Sequence, residues 1–237
     1  MTKHSKRYLE ASKIIDADKT YEPKEAISLL KKCATAKFDE TVDLHMKTGS
    51  DPKHADQLIR GVALLPHGTG KKTRVLVFAQ GEGAKSALDA GADYLADEDL
   101  IKKIEGGWTD FEVAVATPDM MGKIGKLGKV LGRKGLMPNA KTGTVVQAAD
   151  VGRAVQDAKK GRVEIRMDRT AIIHVSVGKA SFKEEQLLDN MSAIIDQIVR
   201  ARPSAVKGQF IRNAFLTTTM GPSVKLDLTT ALELKGE

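Results

Sequence analysis

Residues 68–159 have a different hydrophobic pattern from the segments on either side, and this difference constrains the fold more than any other feature. Arg74–Ala79 is an almost continuous apolar run, which is typical of a strand buried on both faces of a parallel sheet. Helical stretches then alternate with short apolar runs; the helices are expected at 84–91, 97–105, 120–132 and 149–159, and the runs lie at 94–95, 111–116 and 144–146. This alternation predicts a doubly wound α/β unit of roughly 90 residues.

The flanking segments have the pattern of antiparallel sheets. Between residues 38 and 47, Phe38, Val42, Leu44 and Met46 alternate with Asp39, Thr41, Asp43 and His45, as in a strand with one buried face. A hairpin is predicted from strands 162–166 and 171–177, and further strands at 61–65, 209–216 and 224–228. Amphipathic helices are predicted at 5–16, 22–35 and 183–201.

The two flanking segments are expected to form one domain together. Residues 1–67 alone contain two short strands, too little sheet for independent stability. Joined to residues 160–237, they can form an open α+β sandwich. The sequence therefore predicts a fold of α/β and α+β parts in two domains. The discontinuous α+β domain comprises 1–67 and 160–237, and a Rossmann-like, three-layer α/β domain is inserted at 68–159.

The composition is typical of a soluble globular protein. Hydrophobic residues make up 41% of the 237 residues and the mean hydropathy is −0.26. No apolar run is long enough to cross a bilayer, and the basic N-terminus lacks a following apolar segment. We therefore expect a cytoplasmic protein with no membrane partner. The single cysteine, Cys33, excludes an intramolecular disulfide, and its helical neighbours predict a buried thiol.

The net charge of +7 indicates a polyanionic partner without identifying it. Residues 68–159 contain 14 basic and 12 acidic side chains, and the remainder contains 24 basic and 19 acidic ones. Most of the excess positive charge thus lies outside the central segment, and neither part is strongly basic. Binding to RNA would need recognition of shape and hydroxyl groups as well as charge.

Motifs for nucleotide or metal chemistry are weak. Residues 81–83 follow a strand and precede a helix as in a dinucleotide fingerprint, but Ser86 occupies the third glycine position. Residues 68–73 resemble a phosphate-binding loop, but Leu65 stands where that motif requires glycine. The histidines, at positions 4, 45, 54, 67 and 174, have no ligand spacing. We expect no catalytic residue, metal or cofactor; an enzyme with a nucleotide site in the central α/β unit is the alternative.

A basic, glycine-rich run occupies residues 122–135 and contains no acidic residue. Its cations are Lys123, Lys126, Lys129, Arg133 and Lys134. Such a run can be a solvated face of a helix. The functional alternative is a flexible basic tip with secondary contacts to RNA phosphates.

Three consecutive threonines precede a Gly-Pro turn near the C-terminus, in the segment Thr217–Ser223. The simplest interpretation is a polar edge strand that ends at the turn. The alternative is a rigid platform of hydroxyl groups and exposed backbone, where Gly221 permits close approach. Such a platform suits RNA sugars and phosphates better than it suits catalysis.

Several segments resemble the L-one family of ribosomal proteins, which occupy the mobile rRNA stalk of the large subunit. The Thr-Thr-Thr-Met-Gly-Pro-Ser-Val segment at 217–224 resembles the family's C-terminal signature. Similar segments are Ala34–Val42, Leu65–Gly68, Ala116–Asp119 and Gly135–Asn139. They occur in the family's order and cover nearly the whole chain.

This resemblance implies a non-enzymatic RNA-binding protein of the large ribosomal subunit, monomeric within the ribosome, whose RNA-binding domain is interrupted by a Rossmann-like one. It implies three RNA partners: the large-subunit rRNA stalk, exit-site tRNA, and its own operon mRNA, whose translation the free protein represses. Phe38 can be a core side chain, but the resemblance favours RNA contact. The implied RNA-binding residues are Lys37, Phe38, Thr41, Arg166, Asp168, Arg169, His174, Ser176, Asn213, Thr217, Thr218, Thr219, Met220 and Gly221.

Overall fold

In the computed structural model, which describes residues 5–16 and 18–234, the helices and strands mostly follow the predicted order. The first segment holds α1 (Lys6–Ser12), α2 (Pro23–Cys33), β1 (Thr41–Thr48), a 3-10 turn (Ala55–Gln57) and β2 (Arg60–Leu64). The central segment holds β3 (Val75–Phe78), α3 (Glu82–Asp89), β4 (Tyr94–Leu95), α4 (Glu98–Glu105), β5 (Val113–Ala116), α5 (Met121–Ile124), α6 (Gly128–Leu131) and α7 (Val151–Gly161). The last segment holds β6 (Arg162–Arg166), β7 (Ile172–Lys179), α8 (Glu184–Arg200), β8 (Ile211–Thr218), β9 (Ser223–Lys225) and α9 (Leu228–Glu233).

The chain divides into two compact units, which we call unit 1 and unit 2. Unit 1 combines the residues up to Gly70 with those from Val163 onward, and unit 2 comprises Lys71–Arg162. Antiparallel pairing occurs in unit 1 and parallel pairing in unit 2. The protein is therefore a mixed α/β structure with both sheet types. No helix within the described ranges is long and apolar enough to cross a membrane.

Unit 1 is organised around β1, which lies inside a four-stranded sheet of order β7-β1-β8-β9. The buried and partly exposed residues of β1 alternate strictly, because successive side chains of a strand point to opposite faces. Its buried side chains, Val42, Leu44 and Met46, share one apolar core with the buried faces of α2 and α8. The opposite face carries polar side chains and holds several of the predicted RNA-binding residues, among them Thr41, His174 and Thr217.

The strands at which the chain leaves and re-enters unit 1 are paired. β2 and β6 form a separate two-stranded sheet. The N–H of Met167, just after β6, donates to the carbonyl of Ile59, just before β2, at 3.1 Å. The two strands therefore run in opposite directions, and the end of β2 lies beside the start of β6.

Unit 2 has helices on both faces of a parallel sheet of order β4-β3-β5. All four residues of β3 are buried, as the apolar run predicts. Val75 and Val77 pack with α3 and α7 on one face. Leu76 and Phe78 pack with Ile104 of α4 and with the buried residues of 120–131 on the other.

Four predicted elements differ from the structure. The predicted helix at 120–132 is two short α-helices separated by a 3-10 turn at Gly125–Leu127, because glycines lower helix propensity throughout it. The run 144–146 makes only an isolated bridge, between Val145 and Ala116. The strand predicted at 209–216 continues through Thr218, and the strand predicted at 224–228 is the shorter β9, Ser223–Lys225, with α9 beginning at Leu228.

Candidate nucleic-acid interface

The exposed side chains of β1 and its neighbours form one polar sheet face. Thr41, Asp43, His45 and Lys47 are partly exposed on β1. The register places Ser176 and Thr217 on either side of Asp43, and His174 and Phe215 on either side of His45. Predicted site residues from three separate stretches of sequence therefore lie in adjacent rows.

At one end of this face, Thr41 and Thr219 are linked by backbone and side chain. The Thr219 N–H donates to the Thr41 carbonyl at 3.1 Å, and the Thr41 N–H donates to the Thr219 hydroxyl at 3.0 Å. Where β8 ends, the Thr219 hydroxyl thus accepts the hydrogen bond that a backbone carbonyl would accept in a continued strand pairing. Thr219 remains exposed, and its hydroxyl also donates to the Thr41 carbonyl at 3.4 Å.

Glu40 fixes the surrounding loops, although sequence reasoning missed it. The residue is 2% exposed, and its carboxylate accepts the N–H of Ala36 at 3.0 Å and that of Met220 at 3.0 Å. Charged acceptors make strong hydrogen bonds to backbone donors. One buried carboxylate therefore holds the Lys37–Phe38 loop against the turn that carries Met220.

Two apolar side chains project from these loops. Phe38 is 54% exposed and Met220 is 48% exposed. The interpretation of Phe38 as a core residue is therefore wrong. Large exposed side chains next to a polar platform are suited to packing against a sugar or a base edge.

A second residue missed in the sequence, Lys179, adds a positioned cation at this end. Its ammonium donates to the Thr41 hydroxyl at 3.0 Å and to the Asp39 carbonyl at 3.3 Å. The Asp39 carboxylate accepts from the hydroxyl of Ser181 at 2.7 Å. Lys37 is exposed in the neighbouring loop, so positive charge flanks Thr41 from two segments.

Thr218 and Gly221 have internal roles that the sequence does not reveal. Thr218 is 2% exposed, because strand alternation turns its side chain away from the face that Thr217 and Thr219 share. Its inclusion among side chains that contact RNA is therefore wrong. A Cβ built on Gly221 would lie 2.3 Å from the Thr218 hydroxyl, so packing within the chain already requires glycine there.

β6 and β7, predicted as one hairpin, belong to different sheets and are linked by a tight turn with an isolated bridge between Met167 and Ile173. This hairpin turn is not next to the Thr217–Gly221 segment. β1 lies between β7 and β8. The hairpin turn meets the far end of β1, where Lys47 donates to the Thr170 carbonyl at 2.7 Å and pairs in register with Asn213. Thr41 and Lys47 are about 20 Å apart at 3.3 Å per residue, so the predicted site forms a strip with two ends.

Asp168 orders this turn. Its carboxylate accepts from the N–H of Thr170 and of Ile172 at 2.8 Å, and from the Thr170 hydroxyl at 2.6 Å. Burial would raise the pKa of Asp168, but these hydrogen bonds and one from His174 outweigh it and lower the pKa to about 2. Asp168 is thus a positioning residue, and its local bonds occupy the oxygens that we expected to face RNA.

Exposed arginines surround the turn. Arg166 and Arg169 are both exposed and line a shallow hollow with Arg60, a third cation that sequence reasoning missed. Arg60 lies at the start of β2, more than a hundred residues earlier in the chain. Pattern reading could not connect it to the hairpin without the β2–β6 pairing.

Two histidines join across the middle of the strip. The Nδ1 atoms of His45 and His174 are 2.7 Å apart, which requires one nitrogen to donate and the other to accept. Burial lowers the pKa of His45, His174 lowers it further, and Asp43 opposes both. Within the described ranges, no group of three or more His, Cys, Asp or Glu residues could hold a metal ion.

The basic run of unit 2 is helical, which agrees with the solvated helix face and not with the alternative of a flexible tip. Ile124, Leu127 and Leu131 are fully buried against the sheet. The cations point outward: Lys123, Lys126, Lys129, Arg133 and Lys134 are all exposed, and Lys134 donates to the Thr109 hydroxyl. The run is therefore a packed element with a solvated basic face.

The glycine pattern at 81–83, which suggested a dinucleotide-binding site, has another explanation in the structure. Gly83 packs inside unit 2, since a Cβ there would lie 3.3 Å from Ala79 and 3.4 Å from Ala148. This glycine is explained by helix packing. Nothing else in these residues favours a nucleotide site.

Comparisons with known proteins found similar sequences over almost the whole chain. A sequence model of the Ribosomal protein L1p/L10e family matches residues 30–222. The large ribosomal subunit protein uL1 of Dehalococcoides mccartyi is 58% identical over 228 residues, 96% of each chain. Proteins of the same name from Thermomicrobium roseum and Chloroflexus aggregans are 54% and 53% identical, over 98% and 99% of this chain and 97% and 100% of theirs.

Proposed function

Because the chain belongs to the Ribosomal protein L1p/L10e family, we propose that it is a structural, non-enzymatic component of the large ribosomal subunit that binds rRNA. The relatives that support this are named as large-subunit proteins and match almost the whole chain. Its site of action is then the ribosome.

The finer proposal is that the strip along β1 in unit 1 binds the mobile rRNA stalk. The observation that carries it is the platform at Thr41 and Thr219, where a hydroxyl, two exposed apolar side chains and two lysines converge on a rigid sheet end. Buried Glu40 preorganises this end before any ligand arrives. Preorganised groups lose less entropy on binding.

The residues of the strip have different roles in RNA binding. Lys37, Arg166 and Arg169 bind phosphates, since guanidinium and ammonium groups supply sequence-independent affinity. Thr41, Asn213, Thr217 and Thr219, with the backbone at Met220 and Gly221, contact sugar hydroxyls and base edges. Ser176 and His174 lie in the rows between the two ends.

Two further roles belong to the same proposal. In the ribosome the protein contacts and assists release of deacylated exit-site tRNA. When it is free, it binds a stalk-like structure in its own operon mRNA and represses translation. The repressor role uses the same strip as stalk binding, so one interface serves rRNA and mRNA.

Unit 1 is the proposed RNA-binding domain, and unit 2 is the inserted domain. The pairing of β2 with β6 supports this division, because the chain leaves and returns through neighbouring strands. Insertions are tolerated where the two connection points are close. The structural boundary at Gly70 and Val163 lies three residues beyond each predicted one.

A filter-binding assay tests the proposed function. The wild-type protein is titrated against a stalk fragment of large-subunit rRNA and against a scrambled fragment of equal length. The proposal expects at least a hundredfold preference for the stalk fragment, a difference of about 2.7 kcal/mol. Equal affinity for the two fragments would reject specific stalk binding.

A further inference from the structure

A row of four side chains crosses the middle of the strip. His174, His45, Phe215 and Lys225 pair directly from strand to strand in the four-stranded sheet, and directly paired residues project from the same face. The Nδ1 atoms of His45 and His174 are 2.7 Å apart, and the centroids of the two rings are 4.9 Å apart. The two imidazoles therefore form one hydrogen-bonded pair.

Asp168 determines which nitrogen of each ring carries the proton. Its Oδ2 lies 3.6 Å from Nε2 of His174, and the carboxylate is ionised at neutral pH because its pKa is about 2. An ionised carboxylate only accepts hydrogen bonds, so it favours the proton on Nε2 of His174. Nδ1 of His174 is then unprotonated and accepts from Nδ1–H of His45. Because a neutral imidazole has one N–H, Nε2 of His45 remains an acceptor.

The surroundings favour the neutral form of His45. Burial lowers the pKa of His45 and His174 lowers it further, while Asp43 opposes both. The other charged groups on this face are Asp168 beside His174, Lys47 two residues along β1, and Lys225 at the end of the row. Phe215 lies between His45 and Lys225 in the register, so this lysine does not adjoin the imidazole.

The middle of the strip thus differs chemically from its two ends. Asp43 is partly exposed two residues before His45 on the same face, so acceptors and negative charge occupy the centre. Positioned lysines lie at the ends, where they donate to Thr41 and to the Thr170 carbonyl. Carboxylates repel a phosphate, whereas the amine N–H groups on base edges are donors that match an acceptor-rich centre.

We propose that His45 is a specificity-determining residue of the strip, whose unprotonated Nε2 accepts a hydrogen bond from an amine N–H on an RNA base edge, while Asp168 holds this tautomer through His174. The inference rests on the proposed stalk binding and adds a base contact at the centre of the strip. Adenine, cytosine and guanine carry such an amine and uracil does not, so the contact discriminates between bases. Asp168 and His174 act here as positioning residues.

Imidazole ¹⁵N–¹H correlation spectra of the full-length protein without RNA test the tautomers. At about pH 7.5, where neutral imidazole predominates, we expect the proton of His45 on Nδ1 and that of His174 on Nε2. Asp168→Asn is expected to shift part of the population to the opposite tautomers, because an amide can donate to Nε2 of His174 as well as accept from it. A wild-type His45 protonated at Nε2, or tautomers unchanged in Asp168→Asn, would overturn the proposal.

Filter binding of the full-length chain to the stalk fragment tests the contact itself. His45→Leu removes the acceptor, whereas His45→Gln keeps an acceptor oxygen that does not titrate. His54→Gln, at an exposed site, is the control. At about pH 7.5, we expect His45→Leu to bind roughly tenfold more weakly than wild type, and His45→Gln and the control to stay within about threefold. Equal affinities of His45→Leu and the control would overturn the contact.

A stalk fragment with 2′-fluoro riboses identifies the donor, because it lacks the ribose hydroxyls and keeps the base amines. We expect the ratio of wild-type to His45→Leu affinity to be the same on this fragment as on the unmodified one. A ratio near one on the modified fragment alone would assign the donor to a ribose hydroxyl and overturn the base contact.

Acidification should act on His45 with a definite sign. Protonation converts Nε2 from an acceptor into a donor, so the ratio of wild-type to His45→Gln affinity should fall by about two- to fivefold between about pH 7.5 and 5.5. A rising ratio, as expected for a phosphate at this site, or a constant ratio would overturn the proposal.

Failure of this proposal and failure of stalk binding give different results. A wild-type protein with equal affinity for the stalk and scrambled fragments would reject the proposed function, whatever the tautomers of the histidine pair. A stalk preference that His45→Leu retains in full would overturn only the role of His45.

Discussion

The N–H of Thr41 donates to the hydroxyl of Thr219 at 3.0 Å, across 178 residues of sequence. This bond closes the β1–β8 ladder where the strand pairing ends. It also leaves the hydroxyl at the exposed rim of the sheet. Thr219 is therefore both a structural residue and an exposed residue of the platform.

Thr219→Ala is expected to weaken stalk binding by about 10- to 100-fold, because one hydrogen bond to a desolvated RNA group is worth roughly 1–3 kcal/mol. It should also lower the free energy of unfolding by about 1 kcal/mol, since the Thr41 N–H loses its acceptor. Filter binding and urea unfolding measure the two effects. Thr219→Ser should retain both the affinity and the stability of wild type, and Thr229→Ala on α9 serves as the control. A Ser variant that binds as weakly as the Ala variant would contradict a role of the hydroxyl in binding.

Glu40→Gln should disrupt the platform from within. The Ala36 and Met220 N–H groups donate to different oxygens of the carboxylate, and an amide replaces one of these acceptors with an NH₂ donor. We expect a loss of about 1–3 kcal/mol in the free energy of unfolding, together with weaker stalk binding. Glu105→Gln, at an exposed carboxylate, is the control; unchanged stability in Glu40→Gln would contradict the role of the buried carboxylate.

Stability should fall on mild acidification because the pKa of His45 is lowered in the folded protein. Between the lowered pKa and about 6.5, the unfolded chain binds a proton at this site that the folded chain does not. Stability from this group is therefore present above about pH 6.5 and is lost as the pH falls through the folded value. Urea unfolding at pH 7.5 and 5.5 should show a smaller pH effect in His45→Gln than in wild type, while His54→Gln, at an exposed site, should behave as wild type.

A second loss of stability, at lower pH, is expected from Asp168. Its pKa of about 2 is below the ordinary value of 3.8, so its contribution is present above about pH 4 and is lost as the pH falls toward 2. Asp168→Asn should remove part of the acid sensitivity in this window, as monitored by circular dichroism. An unchanged acid transition would show that the turn is held by other contacts.

Much of the architecture could be predicted from local patterns. The amphipathic pattern at 22–35 predicted α2, and the alternation from Val42 to Met46 predicted β1 and its faces. The continuous apolar run at 75–78 predicted a strand covered on both sides. In each case the pattern belongs to one element, so no long-range information was needed.

Features that depend on distant partners could not be predicted. Glutamate is usually exposed. Glu40 is buried because its carboxylate accepts from the N–H groups of residues 36 and 220, and the sequence does not reveal these contacts. Threonine favours strands in general. The sequence therefore could not show that β8 continues through Thr217 and Thr218, or that Thr218 faces the core. The order of strands in the sheet, which separates the hairpin from Thr219, likewise arises from pairing between remote segments.

The central claim is that unit 1 alone carries the stalk interface, and a deletion variant tests it most directly. Residues 71–161 are replaced by three glycines, which keeps β6 whole and joins strands that already lie side by side. The measurement is the affinity of this variant for the stalk fragment, with circular dichroism to establish folding. We predict a folded protein that binds within about tenfold of wild type, roughly 1.4 kcal/mol. A folded variant that has lost stalk binding, with the isolated 71–162 fragment retaining it, would contradict the account.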